Sequence, residues 1–387
     1  MIPYGRQDIS QADIDAVVDV LKSDFLTQGP AVPAFEQAIA GYVGAKFGVA
    51  VNSATSALHI AVKALGLGEG DLMWTTPITF VASANCGRYC GADVDFVDID
   101  ADTFNMCPDA LAAKLEAAEA AGRLPKVIVP VHMCGQSTRA GEIAALARKY
   151  GIKIVEDASH AIGASYQGAK VGACEHSDIT IFSFHPVKII TTAEGGLATT
   201  NDPVLAERMG LLRSHGVTRD PALMTHEADG PWYYQQVDLG WNYRMTEMQA
   251  ALGLSQMARL DQFIDRRNAL ADHYDALLAD LPLKTPGRIE GARSAWHLYV
   301  IRLDDAAQHR AVFEHLRANG IGVNLHYIPV HTQPYYRDLG HNIGDFPVAE
   351  DYYSRAISIP LYAGLTDAEQ DQVVAALENA LTHSTGK

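Results

Sequence analysis

The sequence predicts an α/β fold: a large, mostly parallel sheet covered by helices on both faces, followed by a smaller α+β domain. Three observations predict it. Short apolar runs alternate with amphipathic helical segments between residues 47 and 200, the pattern of β-α-β units. The chain has 387 residues and is 48% hydrophobic, enough for a sizeable core and for roughly two to three domains. After Glu247 the alternation stops, and a long helical stretch leads into a mixture of strands and helices. These observations place a large domain at residues 1–255, N-terminal segment included, and a small domain at 256–387.

Each element has its own signal. Ser10 followed by Asp13 reads as a helix start, with the helix running to about Ser23. The stretch FLTQGP is a turn, and AVPAFEQAIAGYVG is a second amphipathic helix. FGVAVN reads as a short buried strand, and residues 53–64 as a helix. LMWTTPI, VDFVDID, KVIVPVHM, KIVEDASH, ITIFSF and GGLATT read as further strands. FVASANCGRYCG, PDALAAKLEAAEAAG and AGEIAALARKYG read as helices between them. From residue 248 the pattern predicts one long helix that carries the domain boundary. HLYVIRL then reads as a strand, AQHRAVFEHLRANG as a helix, and a closing helix starts near Thr366.

Composition excludes several functions. The formal net charge is −16 and no basic block is present, so nucleic acid is a poor partner. No apolar run is long enough to span a membrane, and the start, MIPYGRQDISQAD, turns polar at once. Cys86, Cys90, Cys107, Cys134 and Cys174 are an odd, scattered set, which reads as reduced thiols in a cytoplasmic protein. Cys86 and Cys90 share the spacing of a helix face, but no second pair completes a zinc site, and no metal is expected.

Two nucleotide motifs fail on inspection. Gly66-Leu-Gly-Glu-Gly70 lacks the dinucleotide-binding spacing and follows a helix. Gly163 to Gly168 has P-loop spacing, but Ala169 stands where lysine is needed. Four other segments fall at the carboxyl ends of strands, where open α/β sheets collect their sites. In SFHPVKIITTAEGG, Lys188 sits among apolar residues; desolvation would lower its pKa and suit it to Schiff-base chemistry. A surface lysine with its stem laid over apolar neighbours fits the same segment. In VEDASH, Asp157 ends a strand 31 residues before Lys188 and could pair with a pyridinium nitrogen, or merely cap a helix. His160 in that segment could equally be a structural histidine. In NSATSA, a strand-to-helix junction of small residues offers free N–H groups to a phosphate, though serine and threonine caps are common. In TPITF, Phe80 could stack on a flat ring or belong to the core. Taken together, an amine, a carboxylate, an aromatic face and a helix end match what pyridoxal 5'-phosphate needs.

The ordered set NSATSAL, TPITFVASAN, EDASHA, SFHPVKIITTAEGG, RSHG, GWNYRMTEMQAALGLSQ and HYIPVH resembles the DegT/DnrJ/EryC1/StrS sugar aminotransferases across nearly the whole chain. Within that family, NSATSAL, SFHPVKIITTAEGG and HYIPVH look closest to the C4 transaminase of the pseudaminic acid pathway. Ala54 and Ala193 depart from the wider family pattern, in which a Gly-Thr pair and TTGEGG are common.

The resemblance implies the aspartate-aminotransferase fold, PLP-dependent transferase fold type I. It also implies roles. Lys188 would hold the cofactor as a Schiff base and shuttle protons, with Asp157 on the pyridine nitrogen and Phe80 on the ring face. His160 would lie beside the phenolic oxygen. Ala54, Thr55 and Ser183 would hold the phosphate, with Asn242 reaching it from the partner of a homodimer with shared active sites. His185 would lie near the lysine as a further catalytic candidate. Tyr4, Leu26, Thr27, Ala54, His326, Tyr327, Ile328 and Pro329 would meet the nucleotide sugar. The implied reaction passes the amino group of L-glutamate to C4 of a nucleotide-linked 4-keto-6-deoxy sugar. The expected sugar is UDP-2-acetamido-2,6-dideoxy-β-L-arabino-hex-4-ulose, giving UDP-4-amino-4,6-dideoxy-N-acetyl-β-L-altrosamine. The alternatives are a dTDP-hexose or UDP-4-keto-pentose aminotransferase, a non-catalytic regulatory relative, and a sugar dehydratase, which in known relatives has histidine at the lysine position.

Overall fold

The computed structural model describes residues 1–384. Seven strands form the main sheet: β1 Phe47–Val51, β2 Leu72–Thr75, β3 Asp93–Phe96, β4 Val127–Val129, β5 Lys153–Asp157, β6 Ile179–Ser183 and β7 Gly196–Thr200. Their spatial order is β1-β7-β6-β5-β4-β2-β3. The pairs β5/β6, β4/β5, β2/β4 and β2/β3 are parallel. Strand β7 runs against both neighbours, with Ser183 opposite Gly196 and Val51 opposite Gly196 on its other edge. The expected mostly parallel sheet is present, with one reversed strand that the apolar pattern did not distinguish.

Helices α1 Gln11–Leu21, α2 Ala31–Val43, α3 Ala54–Ala64, α4 Ala82–Tyr89, α5 Pro108–Ala120, α6 Ala140–Lys149 and α7 Pro203–Leu212 belong to this half of the chain. Helix α1 starts where the sequence placed it: Ser10 and Asp13 form a reciprocal capping box. It ends at Leu21, slightly earlier than expected. Helix α3 is capped by the Ser53 hydroxyl, which accepts from the Ser56 N–H at 3.1 Å. The failed P-loop segment bends instead into a hairpin, in which Ser165–Tyr166 pairs with Ala169–Lys170.

The long helix expected from residue 248 is two helices, α8 Glu247–Met257 and α9 Leu260–Leu277. No glycine or proline marks the break. Arg259 sits at it, donating to the carboxylates of Asp8 at 2.5 Å and Asp13 at 2.7 Å. These tertiary ion pairs coincide with the helix boundary, and helical periodicity does not record them.

Beyond α9 lie β8 Leu283–Lys284, β9 Tyr299–Leu303, α10 His309–Ala318, α11 Pro347–Arg355, β10 Ala356–Ile359 and α12 Asp367–Ser384. Strands β8-β9-β10 form an antiparallel sheet. Its core gathers Leu270, Tyr274, Tyr299, Ile301, Leu316, Ile357 and Leu377, together with Ile2 from the start of the chain. The Ile2 N–H donates to the Gly320 carbonyl at 2.9 Å, and the Gly322 N–H donates to the Ile2 carbonyl at 2.7 Å. The first residues thus run along the C-terminal half and deliver Tyr4 toward the edge of the main sheet. Among the described residues, no helix is long and apolar enough to cross a membrane.

Candidate active site

The carboxyl ends of β1, β2, β5 and β6 open on a cavity of about 470 Å³. Parallel strands stop on one edge, so loops that are far apart in sequence converge there. Asp157, Ser183 and Lys188 enter from β5, β6 and the turn after β6, and Ala54 and Thr55 from the start of α3. Phe80 and His160 line the same cavity, as do Tyr4, His185, His326 and Tyr327. Leu26, Thr27, Ile328, Pro329 and Asn242 do not line it in the single chain. Leu26 and Thr27 are exposed beside the start of α8, and the Leu26 carbonyl accepts from the Glu247 N–H. Asn242 is exposed on a segment bridged to Ser214.

Asp157 is 4% exposed. One carboxylate oxygen accepts from the Ser83 hydroxyl at 2.6 Å, and the other from the Ser159 hydroxyl at 2.5 Å and the Ser159 N–H at 3.1 Å. A buried carboxylate held by three donors has a fixed direction. Ser83 comes from the first turn of α4 and Ser159 from the turn after β5. Sequence reasoning singled out neither; the serine two residues beyond Asp157 in EDASH was the available signal.

Lys188 is crowded by protein on its stem and half-open to the cavity. Burial pushes its amine down to about 8, against the opposing pull of the Asp157 charge. The amine lies 3.5 Å from Nε2 of His297. His160 Nε2 meets the Tyr327 hydroxyl at 3.1 Å, and its Nδ1 is buried without a partner. The His326 ring bonds the Ser358 hydroxyl through Nδ1 at 2.8 Å and lies 5.3 Å from the Tyr4 ring. Burial first, and the Lys188 charge second, lower the pKa values of His160, His297 and His326, with His326 at about 3. These shifts favour the neutral form of all three rings at physiological pH. Phe80 is 58% exposed at the rim, 6.2 Å from the Tyr327 ring.

The start of α3 is shaped for close approach. A Cβ on Gly196 would lie 2.5 Å from the Ala54 nitrogen, so glycine there lets β7 pass directly beneath the helix end. Ala54 and Thr55 occupy the helical positions whose N–H groups have no intrahelical acceptor. The open Lys188 amine, the unpartnered His160 Nδ1, the oriented Asp157 carboxylate and this helix end fit pyridoxal phosphate, donor for acceptor. His297 was not anticipated. In SAWHLYVIRL a histidine beside a strand of large apolar residues carries the signature of a core residue.

Comparison with known proteins finds likeness along nearly the whole chain. Residues 7–378 match the family described as the DegT/DnrJ/EryC1/StrS aminotransferase family. The spore coat polysaccharide biosynthesis protein SpsC of Bacillus subtilis is 39% identical, over 98% of this chain and 96% of its own. The UDP-4-amino-4,6-dideoxy-N-acetyl-β-L-altrosamine transaminase of Campylobacter jejuni is 38% identical, over 98% of both chains. Spr1654 of Streptococcus pneumoniae, solved in its PMP form, superposes with a TM-score of 0.91 at 31% identity, covering 99% of this chain and 100% of its own. A PLP form of the same protein is also solved.

Proposed function

The chain belongs to the DegT/DnrJ/EryC1/StrS aminotransferase family, and on that premise we propose that it moves the amino group of L-glutamate to C4 of a nucleotide-linked 4-keto-6-deoxy sugar. It is an aminotransferase, and its cofactor is pyridoxal phosphate. When bound, the cofactor supplies the aldehyde that carries the amino group and the ring that takes up electrons from the substrate carbon.

The protein's own residues do the rest. The Ala54 and Thr55 N–H groups and the Ser183 hydroxyl would receive the phosphate. Asp157, aimed by Ser83 and Ser159, would hold a proton on the ring nitrogen. Phe80 would cover one ring face. Lys188, with its amine near 8, is neutral often enough at physiological pH to accept a proton from the substrate carbon and return it. His160 and Tyr327 wall the cavity beside it, and His185 stands exposed at the mouth. Asn242 would complete the phosphate site of a partner subunit, which makes the working unit a homodimer with shared sites. Leu26, Thr27, Ile328 and Pro329 would meet the sugar nucleotide outside the cavity proper.

The substrate we favour is UDP-2-acetamido-2,6-dideoxy-β-L-arabino-hex-4-ulose. The observation that supports it is the end-to-end likeness to the Campylobacter transaminase. Tyr4, His326 and Tyr327, gathered from opposite ends of the chain, offer flat faces and hydroxyls to a uracil or sugar ring. A second reading, another nucleotide keto sugar, is favoured by the equal likeness to SpsC, named for spore coat polysaccharide. Comparing UDP-linked and dTDP-linked 4-keto sugars by kcat/KM, with glutamate as donor, tests the choice. A preference for the UDP-N-acetyl sugar is expected; a preference for a dTDP sugar moves the protein to the second reading.

A further inference from the structure

We propose that His297 is the positioning residue of Lys188: its neutral imidazole accepts a hydrogen bond from the lysine amine and holds that amine at the cavity wall. The proposal rests on the reading of Lys188 as the reactive amine. His297 is 5% exposed, lines the cavity, and presents Nε2 at 3.5 Å from the Lys188 Nζ. Its Nδ1 is buried without a partner, so among the described residues the Lys188 amine is the hydrogen-bond contact of its side chain. The ring lies tilted by 49° against that of His160, 4.4 Å between centroids.

The scaffold behind His297 holds its backbone, independently of the lysine. The buried Arg267 guanidinium donates to the carbonyls of Trp296 at 3.0 Å and His297 at 3.3 Å. On the other side, the Ala295 N–H donates to the Gly135 carbonyl at 2.8 Å. Gly135 has φ +97°, and a Cβ there would come within 2.9 Å of the His297 nitrogen. That glycine permits the close passage between the loop after β4 and the segment before β9. His297 is thus fixed by the C-terminal half of the chain and reaches across to a lysine carried by the large sheet. A lysine has four rotatable side-chain bonds, and a single directional acceptor restricts where its nitrogen sits. A proton on His297 would face the cation of Lys188, so the two groups exclude each other's charge and the imidazole stays an acceptor.

The test compares His297→Leu, which keeps bulk without an acceptor, with His297→Gln, which restores one. Trinitrobenzenesulfonate labels neutral amines, and labelling of Lys188 in the cofactor-free full chain is followed against pH by peptide mass. The parent midpoint is expected near 8. An acceptor favours the ammonium form, so its loss in His297→Leu lowers the midpoint by about 0.5–1 pH unit, and His297→Gln recovers it. In the loaded enzyme, kcat of His297→Leu falls about tenfold with KM for glutamate little changed, as expected when a proton-transferring group is misplaced. An unchanged midpoint in a folded His297→Leu overturns the proposal. A measurement on Lys188→Met keeps the test open if the His297 variants do not fold. Removing the lysine charge must raise the His297 titration midpoint seen by NMR, because the coupling is reciprocal; no rise overturns the proposal. If Lys188→Met turns over glutamate as fast as the parent, the reading of Lys188 fails instead.

Discussion

Asp157 shows how much a single side chain depends on its neighbours. Its direction is set by Ser83, 74 positions away in sequence, and by Ser159, two positions away. Asp157→Asn keeps the shape but loses the charge that would hold a proton on a ring nitrogen. We expect weaker cofactor retention and a glutamate half-reaction slowed about 10²–10⁴-fold, read by single-turnover absorbance. Unchanged rates would leave Asp157 a turn residue that only orders Ser83 and Ser159. Ala193 gives a residue-scale prediction of the opposite sign. It has φ +64° and is exposed in the loop before β7. A left-handed alanine costs about 1–2 kcal/mol, while glycine loses about 0.5–1 kcal/mol of unfolded-state entropy. Ala193→Gly should therefore raise stability by up to about 1 kcal/mol in urea denaturation; a clear loss would show that the loop needs the methyl group. Lys188 and Asp157 were legible in the sequence because each follows an apolar strand on the edge where sites gather. His297 was not, because its role comes from a contact 109 positions away in sequence, and a histidine among aromatic residues looks the same in a core.

At the scale of elements, the sequence announces what is local and is silent on what is relational. Apolar runs gave the strands of the main sheet, and Ser10 with Asp13 gave the start of α1. Strand direction leaves no trace in a hydrophobic run, so the reversal of β7 became visible only through its pairing with β1 and β6. That reversal places Gly196 directly under the first turn of α3. The cradle gives a direct prediction. In Gly196→Ala the new methyl would stand 2.5 Å from the Ala54 nitrogen and from the Ser53 carbonyl carbon, contacts that backbone cannot yield cheaply. Overpacking of this kind costs about 1–3 kcal/mol, and here it displaces the helix end proposed to bind phosphate. Titration with pyridoxal phosphate should show affinity lowered at least about tenfold, with the far-UV spectrum retained. Parent-like affinity would remove the α3 terminus from the phosphate site.

The whole molecule brings its first residues and part of its C-terminal half to one cavity. Tyr4 is carried there by an N-terminal segment that pairs with the C-terminal half, and His297, His326 and Tyr327 arrive from that half. Asn242 stays on the surface of the single chain, which is the arrangement a shared site requires. Mixing inactive Lys188→Ala and Asn242→Asp chains should restore part of the activity, since a hybrid dimer holds one site with both residues native. Exchange without recovered activity would refute sharing. Buried histidines are expected to make the protein acid-sensitive. His59 and His326 are buried, with midpoints lowered to about 4 and about 3, and His160 and His297 are also lowered, burial being the largest cause in each. The unfolded chain binds protons at these rings below its ordinary midpoint near 6.5, whereas the folded chain does not. Stability from this source is complete above about pH 6.5 and is lost as pH falls toward the folded values. At pH 5 a ring such as His59 or His326 removes roughly 2 kcal/mol, a large share of an ordinary folding free energy of about 5–15 kcal/mol. The urea midpoint should therefore drop steeply between pH 6.5 and 5, before most carboxylates titrate. His59 tests the cause outside the cavity, since it is packed 4.3 Å from the Trp241 ring and 5.4 Å from Tyr89. His59→Phe keeps an aromatic ring there without a titrating nitrogen, so its stability should fall less steeply across that interval. A slope equal to the parent's would assign the acid sensitivity to other groups.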